Sequence, residues 1–221
     1  TGNIRTLNYV EPADETLRAS FLRVINTADA VATITISATD DDGAAAPGGD
    51  VILTLDPLAA REVTMTDLEN GNVDEGISGM LGDGNGLWRV TVASTHTLEV
   101  MSLVETPDGF LTNMSRAAPV AGSNHEIFVF NPGSNTERRS TLRIANDGND
   151  QASIIISGFD DAGQAGDSDV TLNLSAGQSI SLSALDLENG NSELGLVGAL
   201  GDGTGKWRLT VSSNASIQVQ G

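Results

Sequence analysis

The chain has no cysteine, a single lysine (Lys206), two histidines and eight aromatic residues in 221 positions. Without cysteine there is no disulfide, no thiol nucleophile and no sulfur-ligated zinc site. Basic residues are also scarce, 11 against 30 acidic, and the formal net charge is -19. A surface of that sign repels nucleic acid and anionic membranes, so neither is an expected partner. No run of about 18 apolar residues occurs, so no membrane insertion is expected. The chain opens Thr1-Gly2-Asn3 without a signal-peptide pattern and reads as the start of a mature chain or an excised fragment.

What is present is a repeat. Arg18-Ala-Ser-Phe-Leu-Arg-Val-Ile-Asn26 returns as Arg138-Arg-Ser-Thr-Leu-Arg-Ile-Ala-Asn146, and Asp40-Asp-Asp-Gly43 as Asp160-Asp-Ala-Gly163. Asp67-Leu-Glu-Asn-Gly-Asn72 returns unchanged as Asp186-Leu-Glu-Asn-Gly-Asn191. Leu81-Gly-Asp-Gly-Asn-Gly-Leu-Trp-Arg89 returns as Leu200-Gly-Asp-Gly-Thr-Gly-Lys-Trp-Arg208. Residues 18–43 and 51–102 share 34 identities with their counterparts over 78 positions, far beyond chance, so the chain is two copies of one module. The expected domains are 1–116 and 117–221, the second shortened at its C-terminal end, with the small and polar residues 117–124 as connector.

Apolar residues alternate with period two, which predicts strands with one buried face. Leu22 and Val24, Ile34 and Ile36, Val51, Leu53 and Leu55, and Trp88, Val90 and Val92 form inward sets. Strands near 6–10, 20–26, 32–39, 51–55, 61–65, 88–93 and 98–105 follow, separated by Asp-Gly and Pro-Gly turns. Thr66-Asp-Leu-Glu69 fits a capping box and predicts one helical turn. Seven short strands per copy predict an all-β chain of two tandem immunoglobulin-like antiparallel β-sandwiches. Phe130-Asn-Pro-Gly-Ser134, Leu142–Asn146, Asp160–Gly163 and Trp207-Arg-Leu-Thr-Val211 carry a resemblance that covers nearly the whole chain. The pattern resembles the immunoglobulin-like modules that bacteria string together in large secreted and surface proteins or attach behind secreted hydrolases. That resemblance implies adhesion, spacing or accessory binding in place of a defined reaction.

The two copies weigh the candidate sites against each other. His96 aligns with Ala215 and His125 with Arg5, so neither histidine belongs to the module, and no Gly-x-Ser-x-Gly elbow marks a nucleophile. Lys206 aligns with Leu87, so the repeat does not depend on a self-formed lysine–asparagine isopeptide bond. The Gly-Asp-Gly-x-Gly loops at 82–86 and 201–205 precede strands and read as turns needing positive φ, with Asp83 and Asp202 bonded to nearby amides. Arg23 and Arg143, and Arg89 and Arg208, alternate outward and are expected to pair with carboxylates. Both tryptophans fall at core positions. Acidic loops shared by the copies offer two readings. Hard Ca²⁺ takes six to eight oxygens, and Asp40, Asp41, Asp67, Glu69, Asn72 and Asp83, with Asp160, Asp161, Asp186, Glu188, Asn191 and Asp202, are its candidate ligands. Turn and cap chemistry explains the same residues and is the favoured alternative.

The resulting expectation is a non-catalytic extracellular repeat module, an adhesive or spacer segment of a larger surface or secreted protein. Its expected partners are other copies of the repeat or a surface or matrix component. The alternative is an accessory module, carbohydrate-binding for instance, on a secreted hydrolase. An exposed aromatic patch would separate the two.

Overall fold

Every second residue of strand β2 (Ala19–Asn26) is buried, Ser20, Leu22, Val24 and Asn26, and the same alternation runs through β3 (Ala32–Thr39) and β4 (Val51–Leu55). This period aims one face of each strand at a common core. The computed structural model of the chain describes residues 4–114 and 121–221. The chain divides into two compact units, Thr1–Ala118 and Pro119–Gly221. The expected boundary at 116/117 and connector residues 117–120 lie outside the described residues. Gly122–Asn124, expected as connector, instead open a strand.

The first unit adds β1 (Ile4–Val10), β5 (Ala60–Thr64), helix α1 (Met65–Asn70), β6 (Trp88–Ser94), β7 (Leu98–Glu105) and β8 (Leu111–Asn113). Two antiparallel sheets form, ordered β1-β6-β3-β4 and β5-β2-β7-β8. Their inner faces share one core: Leu22, Val24 and Val63 from one sheet, Ile34, Ile36, Leu53, Trp88 and Val90 from the other, all at most 1% exposed. Each such aliphatic side chain contributes roughly 1.5–3 kcal/mol by leaving water.

The second unit is built the same way from β9 (Gly122–Phe130), β10 (Thr141–Ala145), β11 (Ala152–Asp160), β12 (Val170–Leu174), β13 (Ser179–Ser183), α2 (Ala184–Asn189) and β14 (Trp207–Gln220). β14 is 14 residues long and takes the places of both β6 and β7. Its first half pairs with β9 and β11, and its end pairs with β10. In the first unit the corresponding path is broken at 95–97.

All pairings are antiparallel, and the chain is all-β apart from short helical turns. Even the irregularities repeat. β1 bulges between Leu7 and Val10 against β6, and β9 bulges between Ile127 and Phe130 against β14. The strand order has its own character. β2–β5 and β3–β6 match the B–E and C–F pairs of an immunoglobulin constant-type sandwich, whereas β1 lies beside β6, β7 beside β2, and β4 beside β3 in place of β5.

Candidate functional site

The shared acidic residues gather at one end of each sandwich, where a short helix and two loops close over the tryptophan. The helix begins at Thr64, two residues before the expected cap. Thr64 Oγ accepts from the Asp67 amide (3.1 Å), and Asp67 Oδ2 accepts from the Thr64 amide (3.3 Å), which completes a capping box. Ser183 and Asp186 do the same around α2. Thr66 is not the cap, and its counterpart is Leu185. Asp67 Oδ1 also accepts from Asn72 Nδ2, and Asp186 Oδ1 from Asn191 Nδ2 (2.8 Å). Asn72 Oδ1 in turn accepts from the Glu75 amide, and Asn191 Oδ1 from the Glu193 and Leu194 amides. Burial opposes ionisation of Asp67. The bonds from Asn72 and from the Thr64 side chain and backbone, helped by Arg61, outweigh it and hold the carboxyl below its ordinary value. Asp186 is shifted the same way, burial being outweighed by Asn191 and Ser183.

Glu69 points the other way, into the protein. It is 6% exposed, and its Oε1 accepts the indole Nε1–H of Trp88 (2.7 Å) while both oxygens accept from the Ala13 amide (3.1 Å). Glu188 repeats this with Trp207 (2.9 Å) and the Gly133 amide (3.1 Å). Burial pushes the Glu69 carboxyl above its ordinary value despite the bonds from Trp88 and Ala13, and Asp14 and Asp83 add to the push. The carboxylate therefore ties three distant segments together: the loop after β1, the helix and the first residue of β6. Above the indole, Gly84 and Gly203 lie so close to Trp88 and Trp207 that a Cβ would overlap the ring. The helix carbonyls of Leu68 and Glu69 accept from the Leu81 and Gly82 amides, and Leu187 and Glu188 accept from Leu200 and Gly201. The two intact motifs, Asp-Leu-Glu-Asn-Gly-Asn and Leu-Gly-Asp-Gly, thus recur together because each terminates the other.

The paired aspartates close the far side of the same loop. Asp40 accepts from the Ala44 amide (2.9 Å) and the Asn85 amide (3.1 Å), and Asp41 accepts from the Leu87 amide (3.0 Å). Asp160 accepts from Gln164 (2.8 Å) and Thr204 (2.9 Å), and Asp161 from Lys206 (2.8 Å). The amides of Thr204 and Gln164 lower the Asp160 pKa. The amide bonds expected of Asp83 and Asp202 are made by these residues instead, and Asp83 and Asp202 are exposed. Asp41 Oδ2 also sits where a side chain at Gly86 would be, a position held at φ 74°.

The candidate calcium ligands therefore fall into separate hydrogen-bonded stations, each with amide, amide-nitrogen or indole donors, except the exposed Asp83 and Asp202. Among the described residues no group of three or more His, Asp or Glu side chains is placed to hold a metal ion. Asp40, Asp41 and Asp67 and their counterparts are bonded as turns and caps, and Glu69 and Glu188 as links from the helix to the tryptophans and to the Ala13 and Gly133 amides.

Two side chains depart from expectation. Arg143 is 3% exposed rather than outward in solvent, and its Nη1 donates to Ser181 Oγ (3.1 Å). Arg208 lies 5.5 Å from the centre of the Phe159 ring, and among the described residues it forms no ion pair. His125 Nε2 lies 3.1 Å from the backbone oxygens of Gly122 and Ile217. One shared pair lay in the aligned segments without being singled out. Asn26 is fully buried: its Nδ2 donates to the carbonyls of Ala30 (2.8 Å), Leu55 (3.2 Å) and Asp56 (2.9 Å), and its Oδ1 accepts from the Ala28 amide (3.0 Å). Asn146 makes the same bonds to Asp150, Leu174, Ser175 and Gly148. Its signal in the sequence was an asparagine ending two apolar strands at the same phase as their core residues.

Comparison with protein-family models, with curated proteins and with solved structures finds no match to this chain.

Proposed function

We propose that the chain is a non-catalytic tandem of immunoglobulin-like modules, an extracellular spacer or adhesive segment of a larger secreted or surface protein. One observation carries this reading. The polar groups that both copies retain, Asp40/Asp41, Asp67, Glu69, Asn26 and their counterparts, spend their hydrogen bonds on their own backbone and tryptophan. Duplication has kept what folds the module. A net charge of -19 suits a segment that must stay soluble outside the cell beside many identical neighbours.

A spacer must fold and bear load module by module. Pulling the chain from its two ends is expected to give two rupture events, each releasing about 350 Å of chain for roughly 100 residues at about 3.5 Å per residue. A single rupture of the whole chain, or extension without a resolved event, would remove the spacer role.

A further inference from the structure

Asparagine is followed by glycine at three places, Asn70-Gly71, Asn85-Gly86 and Asn189-Gly190. Asparagine is a thermolabile side chain, and glycine has no Cβ to shield its backbone nitrogen. The structure sets one of the three pairs apart. Asn70 and Asn189 are the last residues of α1 and α2. Closing a ring between a carboxamide and the next backbone nitrogen requires ψ to leave its helical value of about -42°. The glycines that follow are packed against backbone: a Cβ on Gly71 would lie 2.9 Å from the Gly79 carbonyl oxygen, and one on Gly190 would lie 2.8 Å from that of Gly198. Asn70 Nδ2 also donates to the Thr66 carbonyl (3.2 Å).

Asn85 lies in the loop before β6, outside any helix or strand, and both it and Gly86 are exposed. What lies against Gly86 is the Asp41 carboxylate, the end of a side chain and not backbone. Among the described residues the Gly86 amide makes no hydrogen bond, although the amides on either side do: that of Asn85 donates to Asp40 (3.1 Å) and that of Leu87 to Asp41 (3.0 Å). Asn85 Nδ2 donates to Asp42 Oδ2 (2.8 Å). The second unit shows what the fold requires here. Thr204 takes the place of Asn85, donates its amide to Asp160 (2.9 Å) and accepts from the Asp161 amide (3.1 Å), as the Asn85 carbonyl accepts from the Asp41 amide (2.9 Å). The loop therefore forms without a carboxamide at this position.

We propose that Asn85 is a site of spontaneous deamidation that loosens the first unit's loop and leaves the second unit's intact. The Gly86 nitrogen attacks Asn85 Cγ. The new N–Cγ bond closes a five-membered succinimide, the Cγ–Nδ2 bond breaks, and Nδ2 leaves as ammonia, the Gly86 nitrogen having given up its proton. Water then opens the ring at either carbonyl and leaves aspartate or isoaspartate, with nothing oxidised or reduced. Either product loses the bond to Asp42 and sets a new carboxylate beside it. Isoaspartate also adds a methylene to the backbone between the Asn85 and Leu87 amides, the two that pin the loop to Asp40 and Asp41. Thr204 has no carboxamide to lose. This proposal goes beyond the spacer reading and does not rest on it.

The test incubates the full chain in mildly alkaline buffer, folded and in urea, and locates the gain of about one mass unit by fragmentation of its peptides. In the folded chain the gain is expected roughly tenfold faster at Asn85 than at Asn70 or Asn189. In urea the three are expected to convert alike. In the aged folded chain the Leu87 amide should exchange its hydrogen faster than in fresh protein, while the amide of its counterpart Lys206 is unchanged. Asn85→Thr, the residue of the other copy, should abolish both changes. Equal rates at the three pairs in the folded chain, faster conversion at Asn70 or Asn189, or no gain at Asn85 while the chain in urea converts overturns the proposal. So does conversion at Asn85 that leaves exchange at Leu87 as it was.

Discussion

Asn26→Asp is expected to destabilise the first unit strongly at neutral pH and less in acid. The side chain sits fully buried with three carbonyl oxygens within 3.2 Å of its Nδ2. A carboxylate there replaces two N–H donors with a negative oxygen facing those carbonyls. An uncompensated buried charge costs about 3–5 kcal/mol, a large share of the roughly 5–15 kcal/mol that stabilises a domain. The neutral acid still offers one O–H donor, so burial raises the folded pKa of the new aspartate above its unfolded value near 3.9. A raised pKa gives stability that is fully present below the unfolded value and is lost as pH rises through the folded one. Thermal unfolding of variant and wild type at about pH 3 and pH 7 checks this: the gap in melting temperature should widen with pH. Asn146→Asp should behave alike in the second unit, where the same four bonds recur. A gap that is constant with pH, or a variant as stable as wild type at neutral pH, would mean that Asn26 does not hold the loops together.

Glu69→Ala is the second substitution with a large expected effect. It leaves the buried Trp88 indole N–H and the Ala13 amide without an acceptor, each worth about 1–3 kcal/mol, and opens a cavity beside the tryptophan. A loss of about 4 kcal/mol from the first unit is expected in urea unfolding. Glu69→Gln keeps the acceptor oxygen and the volume and should cost about 1 kcal/mol. The raised pKa of Glu69 gives its interactions the sign described for Asn26→Asp. Its stabilising part is complete below the ordinary glutamate value and declines as pH rises through the folded one. The difference between wild type and Glu69→Gln should therefore grow toward acid. Equal losses for alanine and glutamine would show that the bond to Trp88 contributes little.

Alternation made the strands legible. The expected spans at 32–39, 51–55 and 98–105 coincide with β3, β4 and β7; alternation is strict in β3 and β4 and holds in β7 up to Ser102, after which Leu103 and Val104 are both buried. Helical caps were less legible, because Thr66-x-x-Glu69 and Thr64-x-x-Asp67 both look like capping boxes. Only the second copy separates them, keeping a hydroxyl at Ser183 and losing it at Leu185. The inward direction of Glu69 was not legible, because sequence gives no direction to a helical side chain, and its partner Trp88 lies 19 residues away. Arg143 follows the outward phase of β10, yet burial depends on what covers that face, which alternation does not encode. Strand order is likewise set by long-range pairing, so three outer strands, β1, β4 and β7, lie in the other sheet relative to the immunoglobulin constant-type order without any local trace.

On this reading the residues common to both halves serve the fold through bonds that need no ion. Hydrogen exchange reads this at the donors themselves: the amides of Asn85, Leu87, Thr204 and Lys206 and the indole N–H groups of Trp88 and Trp207. All six should exchange slowly with a chelator present, to a similar degree in both halves, and millimolar Ca²⁺ should leave them unchanged. Rapid exchange in chelator that slows when Ca²⁺ is added, or protection confined to one half, would contradict it.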